Sequence, residues 1–258
     1  MFAEIQSSNI VGYQGQDLDG LQYNSVGATF IKVGSEGKFK LGDIKPEGFS
    51  WSKDFLQVLS TTSAETTDKY IYIDAAADAK DFEDDGMAIG WWVKNADAGY
   101  EEDGGIRADN LEFDAGQGFL GNFPSKAVKF TYAGQVVEGK TQLDFTGKQY
   151  NMIANFLPID IKLGQVEAIN FSWSKDFLQV LSTTSAETTD KYIYIDAAAD
   201  ANDFEDDGKA IGWWVKNADA GYEEDGGIRA DEFNWKAGKA FLSNFPSKAV
   251  KLNFPSAL

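Results

Sequence analysis

The sequence predicts an all-β protein made of two tandem homologous β-sandwich or barrel-like domains. Three observations predict it: a long internal repeat, short aromatic and β-branched segments separated by turn signals every ~8–15 residues, and no sustained 3.6-residue apolar period. Phe49-Ser50-Trp51-Ser52-Lys53-Asp54-Phe55-Leu56 returns as Phe171-Ser172-Trp173-Ser174-Lys175-Asp176-Phe177-Leu178. Across the 61 pairs from Phe49–Asp109 to Phe171–Asp231, only Lys80/Asn202 and Met87/Lys209 differ. Asn122 to Lys129 matches Asn244 to Lys251 at the same offset of 122. Gln22-Tyr23-Asn24 matches Gln149-Tyr150-Asn151 at an offset of 127, so a five-residue length difference lies between. Two units follow, a first repeat domain over 1–134 and a second over 135–258. With two copies only, paired globular units fit better than a solenoid.

Within the first unit, Asn9 to Gln14, Tyr23 to Val33 and Lys38 to Ile44 are strand candidates. Asp54 to Leu59 and Lys69 to Asp74 read as a hairpin across a Ser/Thr-rich loop, because alternating Tyr and Ile fit a half-buried pleated surface. Met87 to Lys94, Gly118 to Phe123 and Ala127 to Val137 complete the set. The Ala-rich stretch Asp74 to Lys80 allows a short helix.

Composition removes several function classes. The chain has 258 residues, 43% hydrophobic and 14% aromatic, which supplies a full core. It has no Cys and no His, so disulfides, thiolate or imidazole metal ligands, and Ser-His or Cys-His catalysis are excluded. A net charge of −18 opposes phosphate backbones, so nucleic acid is not an expected partner. No window reaches the ~20 apolar residues of a membrane span. Met1 to Gln6 lacks a basic n-region and an apolar h-region, so the reading is either a cytosolic protein or a mature chain whose export signal is gone, and the Cys-free, acidic, Ser/Thr/Gly-rich composition leans toward export.

The charge is concentrated. Asp74 to Gly86 carries −5 and Asp97 to Asp109 carries −4, and their copies 196–208 and 219–231 carry −6 and −4. In the first segment Asp81, Glu83, Asp85 and Gly86 form D-x-E-x-D-G, a pattern able to aim hard oxygens at one centre, as Ca²⁺ requires. The EF-hand form fails, since the twelfth position from Asp81 is Trp92 and not Glu. The candidate calcium ligands are Asp81, Glu83, Asp85, Asp97 and Asp103, with Asp203, Glu205, Asp207, Asp219 and Asp225 in the second unit. The competing reading is a solvated, self-repelling acidic loop.

Strand alternation over 88–94 puts Trp91 in the core and Trp92, with Trp214 in the second unit, on the opposite face as a ligand or contact anchor. The alternative is that a neighbouring loop covers those rings. Acid-pair hydrolysis needs two carboxylates at controlled separation, which a sequence does not display. No catalytic residue is assigned, and the chain is read as non-enzymatic.

Tyr150-Asn151-Met152-Ile153-Ala154-Asn155-Phe156-Leu157-Pro158, Ala115-Gly116-Gln117-Gly118-Phe119-Leu120 and Phe130-Thr131-Tyr132-Ala133-Gly134-Gln135-Val136, with the opening Val11-Gly12-Tyr13-Gln14, carry a resemblance. The chain resembles tandem-unit secreted proteins of planctomycete and verrucomicrobial type bacteria, in which "GFSxIANxL", "GxGFxV" and "TFxGEV" phrases recur. It departs from that pattern where Gly118 becomes Ala240 and where the last strand runs Leu252-Asn253-Phe254-Pro255. The resemblance implies an extracytoplasmic, all-β, non-catalytic protein and carries no site residues.

The functional expectation is an extracellular structural protein that self-assembles into a filament or surface layer through end-to-end contacts, calcium-stabilised, with Ala249 to Phe254 offering a pairing edge. The alternative is a bivalent module for a glycan or surface polymer.

Overall fold

The computed structural model describes residues 11–20, 22–31, 37–59, 69–81, 86–94, 106–136, 142–147, 149–181, 190–203, 208–216 and 228–256. In the first repeat the elements are β1 (Val11–Leu18), β2 (Gln22–Gly27), β3 (Lys38–Lys40), β4 (Ile44–Glu47), β5 (Phe55–Gln57), β6 (Lys69–Ile73), α1 (Ala75–Asp81), β7 (Gly90–Val93), β8 (Glu112–Asp114), β9 (Gly118–Phe123) and β10 (Val128–Gln135). The second repeat runs in the same order: β11 (Gln142–Phe145), β12 (Gln149–Ala154), β13 (Ile161–Lys162), β14 (Glu167–Ile169), β15 (Phe177–Gln179), β16 (Lys191–Ile195), α2 (Ala197–Asp203), β17 (Gly212–Val215), β18 (Asn234–Trp235), β19 (Ala240–Phe245) and β20 (Val250–Asn253).

Each repeat builds a five-stranded sheet, ordered β2-β9-β5-β6-β7 or β12-β19-β15-β16-β17, and a three-stranded one, ordered β1-β10-β4 or β11-β20-β14. A two-stranded ribbon, β3-β8 or β13-β18, completes it. All ladders are antiparallel, and none of these sheets closes into a barrel. The all-β expectation is met, and the open facing sheets fit a sandwich.

The two-residue period decides which side chains meet. In β9, Phe119, Gly121 and Phe123 are buried on one face while Leu120 and Asn122 point to the other. In β10, Val128, Phe130, Tyr132 and Gly134 are buried and Lys129 and Ala133 exposed. Phe123 of the larger sheet meets Phe130 of the smaller edge-on at 5.8 Å, and Trp91 meets the same ring at 6.2 Å. The β5–β6 hairpin pairs Leu56 with Tyr70, and α1 occupies the Ala-rich stretch, both as the sequence predicts.

One expectation is corrected. The segment Ala249 to Phe254 offers no pairing edge, because β20 is the central strand of its sheet, bonded to β11 on one side and β14 on the other. The close match of 122–129 to 244–251 makes it the counterpart of β10, which is central in its own sheet in the same way.

Candidate functional site

Two places in the molecule are built with more care than a generic sandwich needs. One is the margin of β7 and β17, which borders the acidic segments. The other is the seam between the repeats.

At the β7 margin, polar groups from residues 106–109 converge on the strand and the residues just before it. Val93 N–H donates to the Ile106 carbonyl at 2.9 Å and Ala108 N–H to that of Trp91 at 2.8 Å, so residues 106–108 run along the strand edge. The Arg107 guanidinium lies 4.7 Å over the Trp92 ring, donates to the carbonyls of Met87 and Ile89, and pairs with Asp109 at 3.0 Å. Asp109 in turn accepts the Trp91 N–H at 3.0 Å. Gly90 sits at φ +132, and a β-carbon there would meet that carboxylate at 2.8 Å, so only glycine admits the approach. Arg229, Asp231, Trp214 and Gly212 repeat the arrangement.

This geometry decides the tryptophan question. Trp92 and Trp214 are each 5% exposed, and each indole N–H donates to a carbonyl four residues earlier, Ala88 or Ala210. Both rings are therefore covered, as the alternative reading has it, and neither is an open contact anchor. Alternation did send Trp92 to the face opposite Trp91, but the guanidinium fifteen positions downstream covers it.

Of the candidate calcium ligands, Asp81 closes α1, is exposed and accepts the Trp51 indole N–H at 3.2 Å, and Asp203 closes α2. Glu83, Asp85, Asp97, Asp103, Glu205, Asp207, Asp219 and Asp225 lie outside the described residues. Among the described residues no group of three or more acidic side chains is placed to hold a metal. The flanks of the acidic segments are nonetheless tied. Asp78 of α1 is buried and accepts the N–H groups of Gly86 and Ala88 at 2.8 and 3.1 Å, clasping both sides of 82–85. Arg107 then joins Met87 to Ile106, so the two acidic segments of a repeat are rooted at one margin.

A second buried acid was also not singled out by sequence. Asp54 accepts the Ser50 N–H at 2.7 Å, the Ser125 N–H at 3.2 Å and the Ser125 hydroxyl at 2.6 Å, locking the 50–54 turn to the turn after β9. Asp176 does the same with Ser172 and Ser247. The exact return of Asp and Ser at these positions in both repeats was the available signal.

The seam is formed where the outer faces near the β2 and β12 edges meet. Gly27 N–H donates to the Gly238 carbonyl at 2.8 Å, and Ala154 N–H donates to the Gly116 carbonyl at 2.8 Å. Gly27 corresponds to Ala154 and Gly116 to Gly238, so each bond is the other with the repeats exchanged. The contact is a pseudo-two-fold one: the same patch on both units, closed on itself. At its centre, residues face their own counterparts. A β-carbon on Gly27 would stand 2.0 Å from that of Ala154, and one on Gly118 would stand 2.7 Å from that of Ala240. Each central pair holds one methyl group where two would collide, and the seam has become complementary instead of symmetric. Met152, Ala154 and Ala240, with Leu59, Leu181 and Leu242 packed against them, form its apolar cluster.

No helix among the described residues is long and apolar enough to cross a membrane. In comparisons with known proteins, no family model, curated protein or solved structure matches the chain.

Proposed function

We propose that the chain is a secreted, non-enzymatic, bivalent binding module that carries the same acid-rich segments twice and engages an extracellular polymer with calcium as the bridging ion. One observation carries this. Phe49–Asp109 and Phe171–Asp231 are the same in all but two positions, exposed residues included, while the facing pairs at the centre of the seam, Gly27/Ala154 and Gly118/Ala240, differ. Cores and contacts tolerate exchange less than surfaces, so ordinary drift would leave the opposite pattern. Retention of one surface on both units is what a bivalent display requires. The closed seam supports the same reading, because a self-complementary contact used up within the chain does not propagate to further copies.

The test is retention of the whole chain on immobilised polygalacturonate with and without millimolar Ca²⁺. Retention that needs Ca²⁺, weakens about 100-fold on Glu83→Gln with Asp85→Asn in one repeat, and disappears when both repeats are changed is the expected result. A one-repeat variant that halves capacity at unchanged affinity contradicts bivalency. Open-ended polymers seen by electron microscopy on adding Ca²⁺ would replace this reading with self-assembly into a filament or layer.

A further inference from the structure

The two-fold seam leaves two related clefts at its rims, and they differ in charge. The smaller, about 230 Å³, is bounded by Leu59, Asp114, Gln117 and Asp144. The larger, about 370 Å³, is bounded by Val180, Leu181, Phe233, Lys236, Lys239 and Asp19. Divergence between the repeats begins immediately after the identical stretch and falls on this lining. Leu111, Asp114 and Gln117 of the first repeat are Phe233, Lys236 and Lys239 in the second. In a chain of net charge −18, the substitutions reverse the sign of one cleft and enlarge its aromatic wall.

The cations are left available. Asp144 in the smaller cleft is matched by Lys251 at 3.3 Å, whereas neither Lys236 nor Lys239 makes an ion pair among the described residues. Lys239 is partly buried, and burial lowers its ammonium pKa against the opposing pull of Asp19. A desolvated ammonium gains more from an anion than an exposed one does. The volume lies in the range of small-ligand sites, and a few polar groups on apolar walls are the usual make-up of such sites.

We propose that the larger cleft binds a small organic carboxylate with a planar apolar body, its carboxylate held by the Lys239 and Lys236 ammonium groups and its body by Val180, Leu181 and Phe233. This site is separate from the β7 and β17 margins and does not rest on the display reading.

The test is calorimetric titration of the full chain with 2-naphthylacetate and with its neutral counterpart, 2-naphthylacetamide. The expected result is one acid bound per chain, about ten-fold or more tightly than the amide, the ratio one charge-assisted hydrogen bond supplies. Lys236→Asp with Lys239→Gln, which installs the first repeat's residues, is expected to remove that preference without moving the melting temperature. Should that double variant melt lower, Lys236→Gln at its exposed position is read instead and is expected to lose part of the preference. Equal binding of acid and amide, unchanged binding by the variants, or no binding of either at millimolar concentration overturns the proposal.

Discussion

The half of each repeat that carries β5, β6, α1 and β7 is the same chemistry twice, while the half that carries β1, β2, β9 and β10 is not. The contrast is sharpest beside the seam. In one half Gln16 donates to the Gly238 carbonyl at 2.9 Å and accepts from the buried Tyr132 hydroxyl at 3.2 Å. In the other, Leu143 stands in place of Gln16 and Phe254 in place of Tyr132, and Leu143 packs on Gly116 while Phe254 meets Phe156 at 4.9 Å. A polar pair, Gln16 and Tyr132, and an apolar pair, Leu143 and Phe254, occupy equivalent positions. Each is internally satisfied, and neither is satisfied if its members are mixed. Regions that meet solvent can stay identical, but two patches that meet each other across a near-axis must differ wherever a residue would collide with its own copy.

The identical half predicts identical losses. Asp54→Ala leaves buried donors without an acceptor and is expected to cost about 3 kcal/mol, with Asp176→Ala costing the same, both read from denaturant midpoints. Clearly unequal losses would break the equivalence of the two cores.

The divergent half predicts dependence on the partner residue. Gln16→Leu strands the Tyr132 hydroxyl and is expected to cost about 1–2 kcal/mol, most of it recovered on adding Tyr132→Phe. The same pair gives a pH signature. Burial raises the Tyr132 pKa above its usual 10, so the folded state keeps a proton that the unfolded state releases. The stability this contributes is fully present below about pH 10 and is lost as pH climbs toward the raised folded value. Tyr192, which burial and Asp190 push up to about 12, adds to the loss in the same direction. Alkaline unfolding followed by circular dichroism is expected to set in at higher pH for the Gln16→Leu, Tyr132→Phe chain.

A smaller effect belongs to the guanidinium cover. Arg107→Lys keeps the charge but gives up the fork that reaches Met87, Ile89 and Asp109, and is expected to cost about 1 kcal/mol. Arg229→Lys should match it.

Much of the fold was legible because it depends on local pattern. The alternation of Tyr and Ile in 69–73 marks β6, and the period of 88–94 sends Trp91 inward. What escaped was set by residues distant in sequence. Trp92 is buried by an arginine beyond an acidic segment, and the centrality of β20 depends on two strands, β11 and β14, that precede it by many residues. Asp54 and Asp78 look like any surface acid until their N–H donors are in place. The seam's apolar cluster is small and drawn from separate strands, so it leaves no periodic stripe to read, and its centre is made by the close approach of glycine and alanine. Its one sequence trace was the Gly118 to Ala240 departure between otherwise matching phrases.

The double-mutant cycle at Gly27 and Ala154 tests the complementary seam most directly. Gly27 has no left-handed backbone that would itself forbid a side chain, so the only obstacle to a methyl group is the one on Ala154. Gly27→Ala alone is expected to destabilise by about 1–3 kcal/mol. Adding Ala154→Gly moves the single methyl across the seam and should restore most of that loss, giving a coupling of about 1 kcal/mol or more. Additive losses, or a Gly27→Ala chain as stable as the parent, would mean that the two repeats do not meet at this pair.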